Sequence, residues 1–301
     1  MAELGAEISQ LVPAPQRRHA VLLIACGALA FAAMGAMAKA ASSAIPTFEL
    51  VAARSAVTWA VMEGIRRQLG VPLRFAKLPV LAVRTLAGFA AIALYFHALR
   101  YIPLGEAVLL NNASPVLTSL AAVAVLGERL TWTKGIALLV ALAGLWLLLG
   151  ARDLSTVAGQ GAMLGAASAV SGAIAMVALK KAGSHNRAVL IVWALAAVST
   201  LGSLLLAGGD WLVPSPREGW LLVGTGVTAA VAQLLMTSGY RRLEASEASV
   251  YSFLTPLFSI LLGMALFSER PGWRAGVGGL LILSAGIGTA LRANSPASTK
   301  A

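Results

Sequence analysis

Apolar runs long enough to cross a bilayer recur along the whole chain and leave almost nothing between them. A span needs about 20 mostly apolar residues, because each adds roughly 1.5 Å across a hydrocarbon core about 30 Å thick. The runs predict ten helices, at 20–38, 47–65, 79–99, 105–126, 132–150, 157–179, 188–207, 219–238, 247–267 and 273–291. Only 12% of the 301 residues are charged and 58% are hydrophobic. A soluble domain carries roughly a quarter charged residues, so this composition cannot coat a water-facing surface. An all-α membrane protein is expected, with no room left for a soluble catalytic domain.

The net charge of +11 invites a nucleic-acid reading, which the placement of the basic residues argues against. With the N-terminus inside, fifteen of the 23 lysines and arginines fall on the cytoplasmic side and six on the outer side. Arg54 and Arg84 alone lie within spans. The positive-inside rule then puts both termini in the cytoplasm, and the expected location is a bacterial-type inner membrane. Arg17 and Arg18 before an apolar run also suggest a signal peptide. The run to Ala38 exceeds the usual core of about 7–15 residues, so an uncleaved first helix is expected. Cys26 is the single cysteine, which excludes an intramolecular disulfide and paired-cysteine metal sites. No metal and no cofactor are expected.

Sliding the chain against itself gives a match at an offset of 141 residues. Arg100 falls on Arg241, Glu106 on Glu247, Pro115 on Pro256, Glu128 on Glu269, Trp132 on Trp273 and Lys39 on Lys180. The shift carries helix 1 onto helix 6, so the repeat unit has five spans. Five is odd, and the second copy must enter the membrane from the opposite side. Inverted repeats recur in secondary transporters, which rock about a site near the midplane between the halves; a duplicated structural bundle is the plainer alternative. The expected divisions are a cytoplasmic tail at 1–19, a first repeat at 20–150, a second at 157–291 and a tail at 292–301.

The motif-bearing stretches are YFHALRYIPLGEAVLLNNASPVLTSLAAVAVLGERLTWTKGIALLVALAGLWLLL (95–149) and RRLEASEASVYSFLTPLFSILLGMALFSERPGWRAGVGGLLILSAGIGTAL (241–291). Each has a short turn, then E-A, a central proline, and an E-R turn before the last helix. In this the chain resembles the EamA-type family of the drug/metabolite transporter superfamily. The resemblance implies ten helices in a five-plus-five inverted arrangement and movement of metabolites, amino acids or drug-like compounds, often outward. Arg54 looks like that family's helix 2 arginine. The segments V-R-T-L-A-G (83–88) and Y-F-H-A-L (95–99) resemble a branch with nucleotide-derived and carboxylate substrates.

Polar side chains inside spans usually face the bundle interior or a wet cavity. Asn111, Ser114 and Thr118 share one face of helix 4, and the shift carries them onto Ser252, Thr255 and Ser259 of helix 9. Pro115 and Pro256 adjoin these stripes and are expected to kink the helices. The stripes either line a substrate cavity, with Tyr251, Gln233 and Arg54, or tie helices together. Glu106 and Glu247 sit in first turns, where helix dipoles stabilise acids; the alternative is proton coupling. Arg54 either meets an anionic substrate or pairs with Glu106. Arg84 either snorkels, meets Glu63 or serves the substrate. His97 is a further candidate for gating. Trp132, Trp220 and Trp273 read as interfacial anchors, and Gly161 with Gly165 as close helix packing.

The function expected is secondary transport of a small metabolite by alternating access, as exporter or exchanger. Its partners are that small molecule and the bilayer, with no nucleic acid, in a monomer or homodimer. The alternatives are a channel, a helical scaffold or, less readily, a membrane enzyme. No G-x-S-x-G occurs, and His19, His97 and His185 are too far apart for a local metal motif.

Overall fold

The computed structural model describes residues 14–114, 117–118, 132–149, 155–183, 186–208, 211–240, 251 and 254–292. Ten helices run through them: α1 Ala14–Ser42, α2 Thr47–Gln68, α3 Leu78–Ala98, α4 Leu104–Asn111, α5 Trp132–Leu149, α6 Val157–Gly183, α7 Ala188–Leu206, α8 Pro216–Tyr240, α9 Leu254–Phe267 and α10 Trp273–Arg292. The protein is an all-α membrane protein built from two inverted five-helix repeats, as the apolar runs predicted. Five of the helices (α1, α3, α6, α7 and α8) are long and apolar enough to span a membrane by length and composition. Helix α2 falls short of that measure because Glu49, Arg54, Glu63, Arg66 and Arg67 dilute its apolar run.

The turns follow from local chemistry. Pro46 and Pro103 precede α2 and α4, where a fixed φ and a missing N–H suit a helix start. Lys77 takes a left-handed φ of 50° just before α3, whose first turn holds Pro79. The Asn186 side chain clamps the α2–α3 connection, accepting from the Ala76 N–H at 2.9 Å and donating to its carbonyl at 3.0 Å.

Packing obeys the internal symmetry. Among the described residues the most extensive interfaces are α1 with α8 and α3 with α6, and exchanging the repeats turns the first into the second. The α1–α9 contact likewise answers to α4–α6, and α2–α8 to α3–α7. The pairs α2–α7, α4–α9 and α5–α10 map onto themselves and therefore lie on the pseudo-twofold axis. Contacts within one repeat are slight by comparison. Among the described residues, each helix thus buries its face mainly against the other repeat.

Small residues make these approaches possible, because lipid gives no hydrophobic drive and close van der Waals packing must substitute for it. A Cβ on Gly144 would lie 2.7 Å from the Gly278 carbonyl across α5–α10. One on Gly165 would lie 2.7 Å from Leu110 Cδ1, and one on Gly161 2.6 Å from Tyr101 Cβ. The Gly161/Gly165 pair is therefore a packing surface. Trp132, Trp220 and Trp273 stay mostly exposed, as anchors at span ends require.

Candidate functional site

Between α1, α2, α3, α4, α6, α7, α8 and α9 lies a cavity of about 420 Å³. Its polar lining comes from Arg54, Arg84, Tyr95, Asn111, Asn112, Ser114 and Thr255, and its apolar lining includes Phe31, Met34, Phe96, Met176 and Met236. A smaller chamber of about 70 Å³ adjoins it, sharing Arg54 and Arg84 and adding Ser55, Thr58, Ser199 and Gln233.

Both spaces sit on the symmetry axis. Five pairs of lining residues in the large cavity are related by the 141-residue shift: Phe31/Gly172, Met34/Ala175, Arg54/Leu195, Tyr95/Met236 and Ser114/Thr255. In the small chamber the pairs are Arg54/Leu195, Ser55/Ala196, Thr58/Ser199 and Ile92/Gln233. A point on the axis of an inverted repeat is equidistant from the two membrane faces. The backbone frame is thus symmetric while the side chains are not. The first repeat supplies the arginines, the tyrosine and the bulk of Phe31 and Met34; the second supplies Leu195, Met236, Gly172 and Ala175.

Arg54 and Arg84 make no ion pair or hydrogen bond through their guanidiniums among the described residues, and the Nε of each is buried without a partner. The Arg54 guanidinium lies 5.7 Å from the Phe96 ring centroid. Arg84 Nη1 lies over Gly88, where a Cβ would come within 2.5 Å of it. The possible pairing of Arg54 with Glu106 is not found. Nor does Arg84 meet Glu63, whose carboxylate is saturated by Arg66, Arg67 and the Trp193 indole at 2.6–2.9 Å. Ser55 and Ser199 are 1% and 0% exposed, and both hydroxyls lack partners.

The other residues singled out in the sequence divide as follows. Asn111 lines the cavity and donates to Ser168 Oγ at 3.1 Å. Thr118 and Ser259 do not line it: each bonds back to the carbonyl four residues earlier, Ser114 and Thr255, at 2.8 Å. Gln233 lines only the small chamber. Tyr251 is half-buried and outside both linings, and Pro256 is buried in α9. His97 bonds Thr47 Oγ1 at 2.7 Å, away from the cavity. Glu106 borders a separate, nearly apolar crevice of about 170 Å³ that also touches Glu269. Ser252, Glu247 and Pro115 lie outside the described residues.

One cluster escaped the sequence reading. At the end of the bundle where α1 stops, Lys39 meets Glu269 at 3.0 Å and donates to the Ile102 carbonyl at 2.7 Å. Both Glu269 carboxylate oxygens accept from the Leu104 N–H, at 3.0 and 2.9 Å. A carboxylate from the second repeat thereby caps α4 of the first, where unpaired N–H groups and the helix dipole favour negative charge. The signal was present, since Lys39 and Glu269 both belong to the matched pairs of the internal repeat.

An axis-centred cavity inside two interlocked, inverted five-helix repeats defines a multi-pass membrane transporter of the drug/metabolite superfamily. The chain belongs to the EamA-like transporter family, whose model matches residues 18–150 and 159–291. It is 31% identical to the pseudopaline exporter CntI of Pseudomonas aeruginosa over 90% of this chain and 95% of that protein. It is 26% identical to a riboflavin transporter of Vibrio cholerae, over 85% of this chain and 87% of that one. A solved crystal structure matches with a TM-score of 0.62 at 26% identity, covering 90% of this chain and 96% of the other. The two named relatives are an exporter and a transporter, not enzymes.

Proposed function

We propose that the chain is an alternating-access carrier that binds a small amino-acid-like, nucleotide-derived or carboxylate metabolite in the axis-centred cavity and works as an exporter or exchanger. One observation carries this reading: the cavity lies where inverted repeats make the two membrane faces equivalent, so modest helix movements in either sense expose it to either side. Its volume of about 420 Å³ falls in the small-ligand range of about 300–1,000 Å³. Arg54, Arg84, Tyr95, Asn111, Asn112, Ser114 and Thr255 are the proposed contacts. The charge distribution supports cytoplasmic termini, which makes the Lys39–Glu269–Leu104 cluster an outer latch. That latch must part for the site to face outward. The relatives' names, an exporter and a vitamin transporter, agree with a metabolite-sized cargo.

The test is counterflow in proteoliposomes loaded with candidate metabolites. A carrier gives saturable uptake accelerated by substrate on the opposite side. Flux that rises linearly with concentration and ignores the opposite side would instead identify a channel.

A further inference from the structure

Two half-buried arginines, each with a buried and unpartnered Nε and with no counter-ion among the described residues, call for an occupant. A charged side chain in a membrane interior is costly, and in proteins such groups pair with one another or mark a ligand path. Among the described residues, neither the large cavity nor the small chamber is lined by an aspartate or glutamate. Beside the arginines, the small chamber offers Ser55 and Ser199, both buried with unpartnered hydroxyls, together with Thr58 and Gln233. Buried hydroxyls left without partners are rare in native interiors and call for an unseen partner.

We propose that the small chamber is a receptor for an acidic head group, a carboxylate or a phosphate, and that the substrate is therefore an organic anion. This rests on the carrier reading above and narrows it. Arg54 and Arg84 clamp the head, and the Ser55 and Ser199 hydroxyls and the Gln233 amide complete its hydrogen bonds. One water needs about 10–15 Å³ of such cavity space, so the chamber's roughly 70 Å³ has room for a head group of a few heavy atoms. The remainder of the molecule occupies the larger cavity among Phe31, Met34 and the methionines, so it is substantially apolar. Because both cations come from the first repeat and Leu195 stands at the symmetry position of Arg54, the substrate binds in one orientation only.

The experiment is thermal unfolding of the purified full-length protein in detergent with glutarate, adipate and phenylpropionate, each beside its amide, and with phenyl phosphate. Acids should raise Tm and amides should not; the carboxylate and phosphate arms tell which head the chamber takes. Arg54→Gln and Arg84→Gln should each weaken acid binding about tenfold or more, the scale of one lost charge-assisted hydrogen bond. Both should leave the ligand-free Tm unchanged or raise it by a few degrees, because an uncompensated buried charge has been removed. Structural arginines would do the reverse and lower it. Ser199→Ala should weaken binding several-fold without touching any charge. Amides that stabilise as well as acids, acids that stabilise nothing, or arginine variants that bind acids undiminished would each overturn the proposal. Saturable exchange of uncharged compounds alone would overturn it while leaving the carrier standing. Acid-induced stabilisation without any saturable exchange would keep the anion chamber and remove the carrier.

Discussion

At the scale of single residues, Gly88 is the position on which the placement of Arg84 most visibly depends. An added Cβ would sit 2.5 Å from Arg84 Nη1 and 2.8 Å from Leu195 Cδ1, so both must move. Gly88→Ala also gains helix propensity, about 1 kcal/mol, which offsets the crowding. The expected outcome is a Tm within a few degrees of the parent and a KM for exchange raised about tenfold, read in proteoliposomes. Asn111→Ala removes the 3.1 Å bond to Ser168 across α4–α6; an interhelical bond of this kind contributes about 0.6 kcal/mol in membranes. A loss of exchange much larger than that stability change would assign Asn111 to the substrate. Periodicity had placed Asn111, Ser114 and Thr118 on one face, yet Thr118 turns inward to its own helix. A hydroxyl can satisfy itself on the carbonyl four residues back, and the Asn112 amide does the same on Val108 at 2.8 Å, while the Asn111 amide reaches across to Ser168. Sequence spacing sees the face and not that choice. Thr58 stands four residues beyond Arg54 and was within reach of the same reasoning, as was Ser199, its counterpart under the 141-residue shift; neither was singled out.

At the scale of elements, the latch joins three of them: α1 through Lys39, the α9–α10 turn through Glu269, and α4 through the Leu104 N–H. Lys39→Met leaves a partly buried carboxylate without its cation and should cost about 2 kcal/mol or more. Glu269→Gln keeps an acceptor for Leu104 and should cost less. The double variant should cost less than the two single losses together, because the pair is removed as a unit; chemical or thermal unfolding of the four proteins gives the coupling. The same variants report on opening. With Cys26→Ser as background and a cysteine at Val108, which lines the cavity, an impermeant maleimide should label faster when Lys39 is Met. Equal labelling would show that the latch does not hold that end shut. Helix extents were largely legible in advance because apolar length is set by bilayer thickness. Ends were less so: α1 and α6 run on to Ser42 and Gly183, past the apolar runs that located them, since a helix continues beyond the hydrocarbon until a turn residue stops it.

At the scale of the molecule, the inverted repeat was readable from the 141-residue offset, but the way the two copies interlock was not. Sequence neighbours usually pack as neighbours, and a rocking motion of one repeat against the other was the natural expectation. Here the major interfaces join α1 to α8 and α3 to α6, each across the repeats. Helix-to-helix affinity in lipid depends on small-residue fit, as at Gly27 against Met236 and Gly226 against Val57, and a hydropathy pattern carries no record of which glycine meets which partner. On the carrier reading proposed above, the bodies that move would therefore be composites of both repeats. The consequence can be measured on a divided chain. Cut in the connection between α5 and α6, the halves 1–150 and 151–301 each keep five spans but lose the faces they bury against. Expressed alone, either half should fail to accumulate in the membrane. Expressed together, they should copurify through a tag on one half and restore counterflow, because the large interfaces among the described residues are all between fragments. Stable, independent accumulation of each half would mean that the repeat is its own packing unit, and the composite bodies would have to be abandoned.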